Sequence, residues 1–173
     1  VHHFLFSDLY DWAGQIRTVN ISKKGTNFTP AENIEEQAAL IFKRLKNCNY
    51  FKELEHSVFV DEIVDFYCVT NALHPFREGN GRSTRIWLDC IFKKEIGKVV
   101  DWSKVDKEDY LLAMERSPIK DIEIKHILKE ALTDDINSRD VYMKGIDHSY
   151  YYEGYTTFKT EEPEVIFAGS FDP

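Results

Sequence analysis

The chain has 173 residues, of which 43% are apolar and 14% aromatic, a composition typical of one folded domain and unlike that of a disordered chain. Its 22 basic and 30 acidic side chains give a net charge of -8, which argues against a general nucleic-acid binder because binding to phosphates requires a basic surface. No apolar run approaches the roughly 20 residues that a membrane span needs, so we expect no membrane segment.

Cysteine and histidine spacing indicates neither disulfides nor a metal site. Cys48, Cys68 and Cys90 form no C-x-x-C pair, and the six histidines show no ligand spacing. We therefore expect free thiols in a protein of the reducing cytoplasm. The chain begins at Val1 without a methionine and without a signal peptide, so we expect the native N-terminus to lie upstream.

The first third of the chain predicts a helix and then a hairpin. Apolar residues recur at helical spacing over residues 4–13. Thr18, Val19 and Ile21 are strand-forming residues, and turn-forming residues follow them. We predict a β-hairpin over residues 16–28.

The rest of the chain predicts helices. Pro30 begins a helix that breaks near residues 47–49. Residues 59–73 are apolar almost all round, which favours a buried, central helix that ends at His74 because Pro75 follows. A glycine-rich turn leads into a helix over residues 82–94. Later helices are predicted after residues 106, 117–118 and 134–135, each with capping residues at its start.

Residues 74–85, HPFREGNGRSTR, carry the residue types of phosphate chemistry. His74 can accept a proton near neutral pH, and Glu78 offers the kind of oxygen ligand that Mg²⁺ prefers. Gly79, Asn80 and Gly81 can turn successive backbone N–H groups toward an anion, and the positive end of the next helix would add to this nest. The set fits attack of a hydroxyl on a nucleotide phosphate.

Two arginines complete this set. Arg82 and Arg85 lie three apart on one helical face and can reach the same polyphosphate. Each feature also has an ordinary structural explanation, as a helix terminator, a turn or a solvated face, and Phe76 is most simply a core anchor under the loop. Their occurrence together within twelve residues favours the functional interpretation.

Residues 74–85 match the signature H-x-F-x-[D/E]-G-N-G-R-x-x-R of Fic-domain proteins at every specified position. Residues 5–17 resemble the family's opening helix, residues 20–28 its β-hairpin flap, and residues 113–118 a stretch of its small bacterial members. The resemblance covers about residues 1–155. It implies an all-α Fic fold, a helical bundle with a short β-hairpin flap.

The resemblance also implies a Mg²⁺-dependent protein adenylyltransferase (AMPylator), which transfers AMP from ATP to a Ser, Thr or Tyr hydroxyl of a target protein. His74 would be the general base and Glu78 the Mg²⁺ ligand. The implied nucleotide-binding residues are Gly79, Asn80, Gly81, Arg82, Ser83, Thr84 and Arg85. The flap would dock the target as an added strand. Its implied docking residues are Lys23, Lys24, Gly25, Thr26, Asn27 and Phe28.

A second pattern suggests a built-in brake. Residues 149–154, SYYYEG, resemble the inhibitory motif [S/T]-x-x-x-E-[G/N], at the place where class III Fic proteins carry it in a C-terminal helix, here about residues 136–154. Ser149 and Glu153 would be inhibitory, with Glu153 pairing with Arg85 and misorienting ATP. The ordinary alternative for Glu153 is an exposed helical glutamate. Tyr150 is a hypothetical automodification site.

The remaining expectations concern the chain end and partners. Residues 156–173 read as an appendage, and residues 165–173 resemble the first strand and turn of nucleotidyltransferases such as phosphopantetheine adenylyltransferase, without the element that such enzymes need downstream. Self-association is compatible with the resemblance, because small Fic proteins often bury the inhibitory helix in this way. The alternatives left open are deAMPylation or a bifunctional enzyme, transfer of phosphate or another nucleotide, and a non-catalytic module that docks a strand.

Overall fold

The structure, a computed structural model, describes residues 1–23 and 26–153. Within them the chain is mostly helical, as predicted, and forms seven α-helices joined by short turns and 3₁₀ segments. The helices are α1 His2–Phe6, α2 Ile34–Asn47, α3 His56–Leu73, α4 Asn80–Ile96, α5 Lys107–Arg116, α6 Ile122–Glu130 and α7 Arg139–Glu153. No helix of the described residues is both long and apolar enough to cross a bilayer.

Two small antiparallel sheets of two strands each accompany the helices. Strands β1 (Ser22–Lys23) and β2 (Thr26–Asn27) pair with each other, which confirms the predicted hairpin in a shorter form. Thr18, Val19 and Ile21 were wrongly predicted as strand, since the backbone there pairs with no neighbouring strand. Strands β3 (Val99–Val100) and β4 (Leu132–Thr133) pair across the segment that contains α5 and α6, and strands of two residues are too short for a sequence pattern to predict.

The first helix is shorter than its apolar spacing predicts. It ends at Phe6, and residues 7–14 continue as successive turns, in which the N–H of Ala13 donates to the carbonyl of Tyr10. Tyr10 and Trp12 stack with their ring centroids 4.4 Å apart. The recurring apolar residues therefore pack on one another through turns, and the prediction of a helix to residue 13 was wrong.

Helix α3 forms the centre of the core, as its all-round apolar pattern predicts. Val64 and Tyr67 are fully buried, and α3 packs against α2, α4 and α6. The helix ends at His74, which adopts the left-handed region with φ 48° and ψ 58° before Pro75. The site described below therefore begins at the end of the most buried helix.

The remaining helix starts agree with the predictions to different degrees. Asp106 caps α5 by accepting from the N–H groups of Glu108 and Asp109 at 2.8 and 3.0 Å, as expected. Helix α6 begins at Ile122, because α5 ends in a turn that includes Ser117 and Pro118. Helix α7 begins at Arg139, three residues later than the expected start at about residue 136, because residues 134–138 are irregular and include a turn.

Asp89 fixes the chain that follows α4. Its carboxylate accepts from the N–H of Val100 at 2.8 Å and from the indole Nε1 of Trp102 at 2.9 Å. Burial raises the pKa of Asp89 to about 6, although both hydrogen bonds and the nearby Arg85 guanidinium act in the opposite direction. The carboxylate thus holds Trp102 in a fixed position beside Arg85.

We predict that the Asp89 carboxyl titrates with a midpoint near pH 6, measured by ¹³C NMR of its side chain. Arg85→Met should move this midpoint upward, because it removes a cation that favours the charged form. The folded state holds this proton more tightly than the unfolded chain, so the contribution of Asp89 to the free energy of unfolding should decrease as pH rises from about 4 to about 6. Arg116→Met, on α5, serves as the control. A midpoint near 4 would contradict the prediction.

Candidate active site

His74 is held at the end of α3 with its ring oriented by two contacts. Its Nδ1 donates to the carbonyl of Asn71 at 3.1 Å, so the neutral ring carries its lone pair on Nε2. The ring stacks on Phe28 with centroids 3.7 Å apart and an interplanar angle of 12°. The structure therefore brings the predicted base together with the predicted flap.

Of the other residues predicted for the flap, Lys23 lies on β1, and Thr26 and Asn27 lie on β2. Lys24 and Gly25 lie outside the described residues. Phe28 follows β2 directly and is the flap residue that contacts His74. The hairpin thus stands beside the base, as a platform for an extended target segment requires.

The loop between α3 and α4 is closed by one side chain. Asn80, only 3% exposed, accepts from the N–H of Phe76 at 2.9 Å and donates to the carbonyl of Phe76 at 2.7 Å. Both polar atoms of its amide group therefore bond to the backbone within the loop. Phe76, expected as a core anchor, is half-buried and stacks on the ring of His2 at 3.8 Å.

Gly79 is required by both its backbone and its neighbour. Its φ of 78° lies in the left-handed region, and a Cβ atom here would lie 2.5 Å from Cε2 of Phe6. The Phe6 ring lies directly against this position, so the side of the loop that faces α1 is filled. The role of Gly79 in an anion nest stays a prediction.

The anion-binding feature is the start of α4. The helix begins at Asn80, two residues before the predicted start, so its first turn includes Gly81 and Arg82. The N–H of Ser83 already donates to the carbonyl of Gly79 at 3.0 Å. The N–H groups of residues 80–82 precede it and, like those at any helix start, have no intrahelical acceptor. They and the helix dipole favour an anion at this end.

Ser83 and Thr84 do not face this end. Their side chains are 4% and 9% exposed. Both hydroxyls donate to the carbonyl of Asn80, at 3.0 and 2.9 Å. Both hydroxyls thus bond within their own helix, and nucleotide binding by these two residues stays a prediction.

Glu78 and Arg82 form a pair at the mouth of the loop. Oε1 of Glu78 accepts from a terminal nitrogen of Arg82 at 3.1 Å and from the N–H of Gly79 at 2.9 Å. The Arg82 guanidinium lies 4.8 Å from the centre of the Phe6 ring, and its buried Nε has no hydrogen-bond partner among the described residues. A buried donor without an acceptor calls for a partner, and a water molecule or a ligand oxygen could supply it.

Glu78 also suits a shared magnesium site. Its side chain is 44% exposed, and the bonds described above use only one of its two oxygens. The described residues contain no cluster of three or more His, Cys, Asp or Glu side chains that could hold a metal. A cation here would therefore take most of its ligands from water and from phosphate oxygens, the kind of site that Mg²⁺ prefers.

Arg85 lies under the last helix. It is 5% exposed, and a terminal nitrogen donates to Oγ of Ser149 on α7 at 2.9 Å. Its guanidinium lies 5.9 Å from the ring centre of Trp102 and 5.1 Å from that of Tyr152. The structure thus brings Ser149, predicted as inhibitory, to Arg85. The side chains of Glu153 and Tyr150 lie outside the described part of the chain.

An open cavity of about 470 Å³ joins these elements. Arg82, Arg85 and Asp89 line it from α4, and it lies between α1, the β3 region and α7. Its other lining residues are Leu5, Phe6, Leu9, Ile86, Val100, Trp102, Val141, Tyr142, Gly145, Ile146 and Ser149. A mainly apolar cavity of this size with two cations suits a small ligand that joins a flat apolar group to an anion.

Sequence reasoning missed several residues that build the site. Phe6 closes one wall of the loop, and Trp102 and Tyr152 enclose Arg85. Arg17 contacts the carbonyl of His74. These contacts join positions from 17 residues apart (Arg85 and Trp102) to 73 residues apart (Phe6 and Gly79), so no spacing pattern could have revealed them.

The model of the Fic/DOC family matches residues 1–92, over half of the chain. The chain is 32% identical over 122 residues to the probable protein adenylyltransferase Fic of Escherichia coli, a match that covers 70% of this chain and 60% of that protein. The probable protein adenylyltransferase Fic of Salmonella typhimurium is 30% identical over 135 residues, a match that covers 78% of this chain and 67% of that protein. The protein adenylyltransferase VbhT of Bartonella schoenbuchensis is 36% identical over 111 residues, which cover 63% of this chain and 23% of that protein.

Solved structures share the fold. BepC of Bartonella tribocorum, with bound AMPPNP, has a TM-score of 0.67 and 24% identity, over 76% of this chain and 70% of that one. The N-terminal Fic domain of a Bartonella quintana effector, with bound ADP, has a TM-score of 0.68 and 20% identity, and the match covers 82% of this chain and 72% of that one. By its fold, its motif and the match to the family model, this chain belongs to the Fic/DOC family.

Proposed function

We propose that this chain is a protein adenylyltransferase that transfers AMP from ATP to a hydroxyl of a target protein. The observation that carries the proposal is the convergence of His74, Glu78, Arg82 and the start of α4 on one loop, beside the flap. Adenylyltransferase is the activity named for the relatives, of which the chain spans 60% in the Escherichia coli protein. AMPPNP and ADP in the solved relatives support a nucleotide substrate.

In this reaction the target hydroxyl attacks the α-phosphorus, a new oxygen–phosphorus bond forms, and the bond to the β-phosphate breaks. Pyrophosphate leaves, and His74 takes the hydroxyl proton on Nε2, the nitrogen that its Nδ1 bond to Asn71 leaves basic. The start of α4 and Arg82 hold the α- and β-phosphates, and Arg85 holds the γ-phosphate. The target side chain reaches His74 from an extended segment laid along the flap.

Glu78 would hold Mg²⁺ through the carboxylate oxygen that does not contact Arg82. When bound, the ion supplies positive charge that neutralises the phosphates. Glu78 is close enough to Arg82 for a direct bond, so the same carboxylate also sets the direction in which the guanidinium points.

We also propose that α7 restrains the enzyme. Ser149 accepts a hydrogen bond from Arg85, and Tyr152 lies against the same guanidinium while its hydroxyl donates to the carbonyl of Val105 at 3.0 Å. Arg85 is therefore engaged by α7 before any γ-phosphate arrives. Glu153, one residue beyond Tyr152, would compete directly with the phosphate for this cation.

A first test follows the label of ATP. The chain carrying Glu153→Gly is incubated with a bacterial lysate and ATP labelled on either the α- or the γ-phosphate. We expect protein labelling from the α-phosphate alone. Labelling from the γ-phosphate would show phosphate transfer, and absence of labelling from both would overturn the proposal.

His74→Ala should lower the labelling rate by about 10² to 10⁴-fold, because it removes the proton acceptor. His56→Ala, at the exposed start of α3, is the matched control and should keep the rate. Far-UV circular dichroism should be the same for all three proteins. A folded His74→Ala protein that labels as fast as the wild type would exclude the general-base role.

Glu153→Gly should raise the labelling rate about 5- to 150-fold over the wild type, since a coupling of this kind is worth roughly 1–3 kcal/mol. Glu153→Gln removes the charge without placing a glycine in the helix, and it should also raise the labelling rate. Asp140→Gly, in the first turn of α7, is the control for a glycine in this helix. Equal labelling rates for the wild type and Glu153→Gln would show that the Glu153 carboxylate does not inhibit the enzyme.

A further inference from the structure

Arg17 is the largest side chain in the described residues that is essentially fully buried, with 1% of it exposed. It follows the turns after α1 and precedes the flap. Its guanidinium is permanently charged, and within the described residues no carboxylate lies within ion-pair distance of it. A buried charge with no counter-ion is costly unless its donors are well satisfied, so this position calls for a specific explanation.

Three backbone carbonyls from three separate segments satisfy this charge. Nε donates to His74 at 2.8 Å, one terminal nitrogen to Val19 at 2.8 Å, and the other to Thr29 at 2.5 Å. The backbone N–H of Arg17 also donates to the carbonyl of Pro75 at 2.9 Å. Every nitrogen of the guanidinium is therefore used. The bond to Val19 is local, whereas those to Thr29 and His74 reach residues 12 and 57 positions away.

Two of these carbonyls flank the flap, and the third belongs to His74. Val19 precedes β1 and Thr29 follows β2, so Arg17 joins the two ends of the hairpin. His74 holds the left-handed backbone conformation, which is unfavourable for a non-glycine residue and must be maintained by its surroundings. The bonds to His74 and Pro75 are such a constraint.

Independent contacts tie the flap to the same place. The Phe28 ring stacks on His74, and the N–H of Thr29 donates to the carbonyl of Ala72 at 3.3 Å. The flap and the end of α3 therefore form one unit around the guanidinium. A lysine could keep the charge here, but its single ammonium cannot present the planar fork that reaches three carbonyls.

We propose that Arg17 is a positioning residue, which fixes the distance and angle between a strand docked on the flap and His74. It touches neither the nucleotide site nor the reacting atoms, and it acts by setting the backbone of the base and both ends of the platform. The proposal rests on the proposed transferase function. It predicts that loss of Arg17 misaligns the hydroxyl and leaves the nucleotide site intact.

The test compares Arg17→Lys and Arg17→Met in the Glu153→Gly background. Labelling of lysate protein from α-labelled ATP is measured over a range of ATP concentrations. The maximal rate should fall about 10² fold, the cost of a misplacement of about 1 Å, while the apparent KM for ATP stays within about twofold. Arg44→Met is the matched control, because Arg44 is an exposed arginine that pairs with Asp65 at 2.9 Å, away from the flap.

A second readout does not depend on activity. The Phe28 ring shifts the proton resonances of the His74 imidazole while the two are stacked, and this shift should shrink in Arg17→Met. If the Glu153→Gly protein labels nothing but the shift shrinks, the transferase proposal fails and the link between Arg17 and His74 stands. An unchanged shift in a folded Arg17→Met protein overturns the link.

The thermal stability of the Arg17 variants distinguishes a positioning role from a role in folding alone. If Arg17→Met fails to fold, Arg17→Lys carries the test, since it keeps the charge and most of the volume. A folded Arg17→Lys protein with an unchanged KM for ATP and a reduced maximal rate supports positioning. A parallel loss of ATP affinity and rate, in proportion to the lowered Tm, would mean that Arg17 only stabilises the fold and would overturn the proposal.

Discussion

The pair of hydrogen bonds between the Asn80 side chain and the backbone of Phe76 supports the whole site. They close the loop between the two central helices, so that α3 ends and α4 begins within seven residues. One closed loop therefore joins His74, at the end of α3, to Arg82, in the first turn of α4. Because Asn80 is buried, this closure is protected from competition with water.

Groups of opposite charge lie together at the loop between α3 and α4. The start of α4 favours negative charge, and Arg82 adds a cation with a buried, unsatisfied donor. Glu78 offsets part of this positive charge and keeps Arg82 in place. The cavity beside it is mostly apolar, which leaves an adjoining volume suited to the uncharged part of a nucleotide. Helix α7 forms one side of that volume and holds Arg85 through Ser149.

The sequence predicted the helical class, the central helix and the hairpin because these depend on local periodicity and turn residues. It predicted the residues of the loop because the motif is contiguous. It could not show that Asn80 bonds within the loop or that Ser83 and Thr84 face inward, since those outcomes depend on where α4 begins. It gave no sign of Phe6, Trp102 or Arg17, whose contacts cross between distant segments.

The contact between Gly79 and Phe6 has a consequence for the evolution of such chains. A Cβ at position 79 would overlap the Phe6 ring, so the two positions share one volume. A larger residue at position 79 would require the Phe6 ring to move or residue 6 to be smaller, and it would still meet the cost of a left-handed backbone. Residues 6 and 79 should therefore change together in evolution, so that the residue at position 6 of α1 reflects the constraint on the loop between α3 and α4.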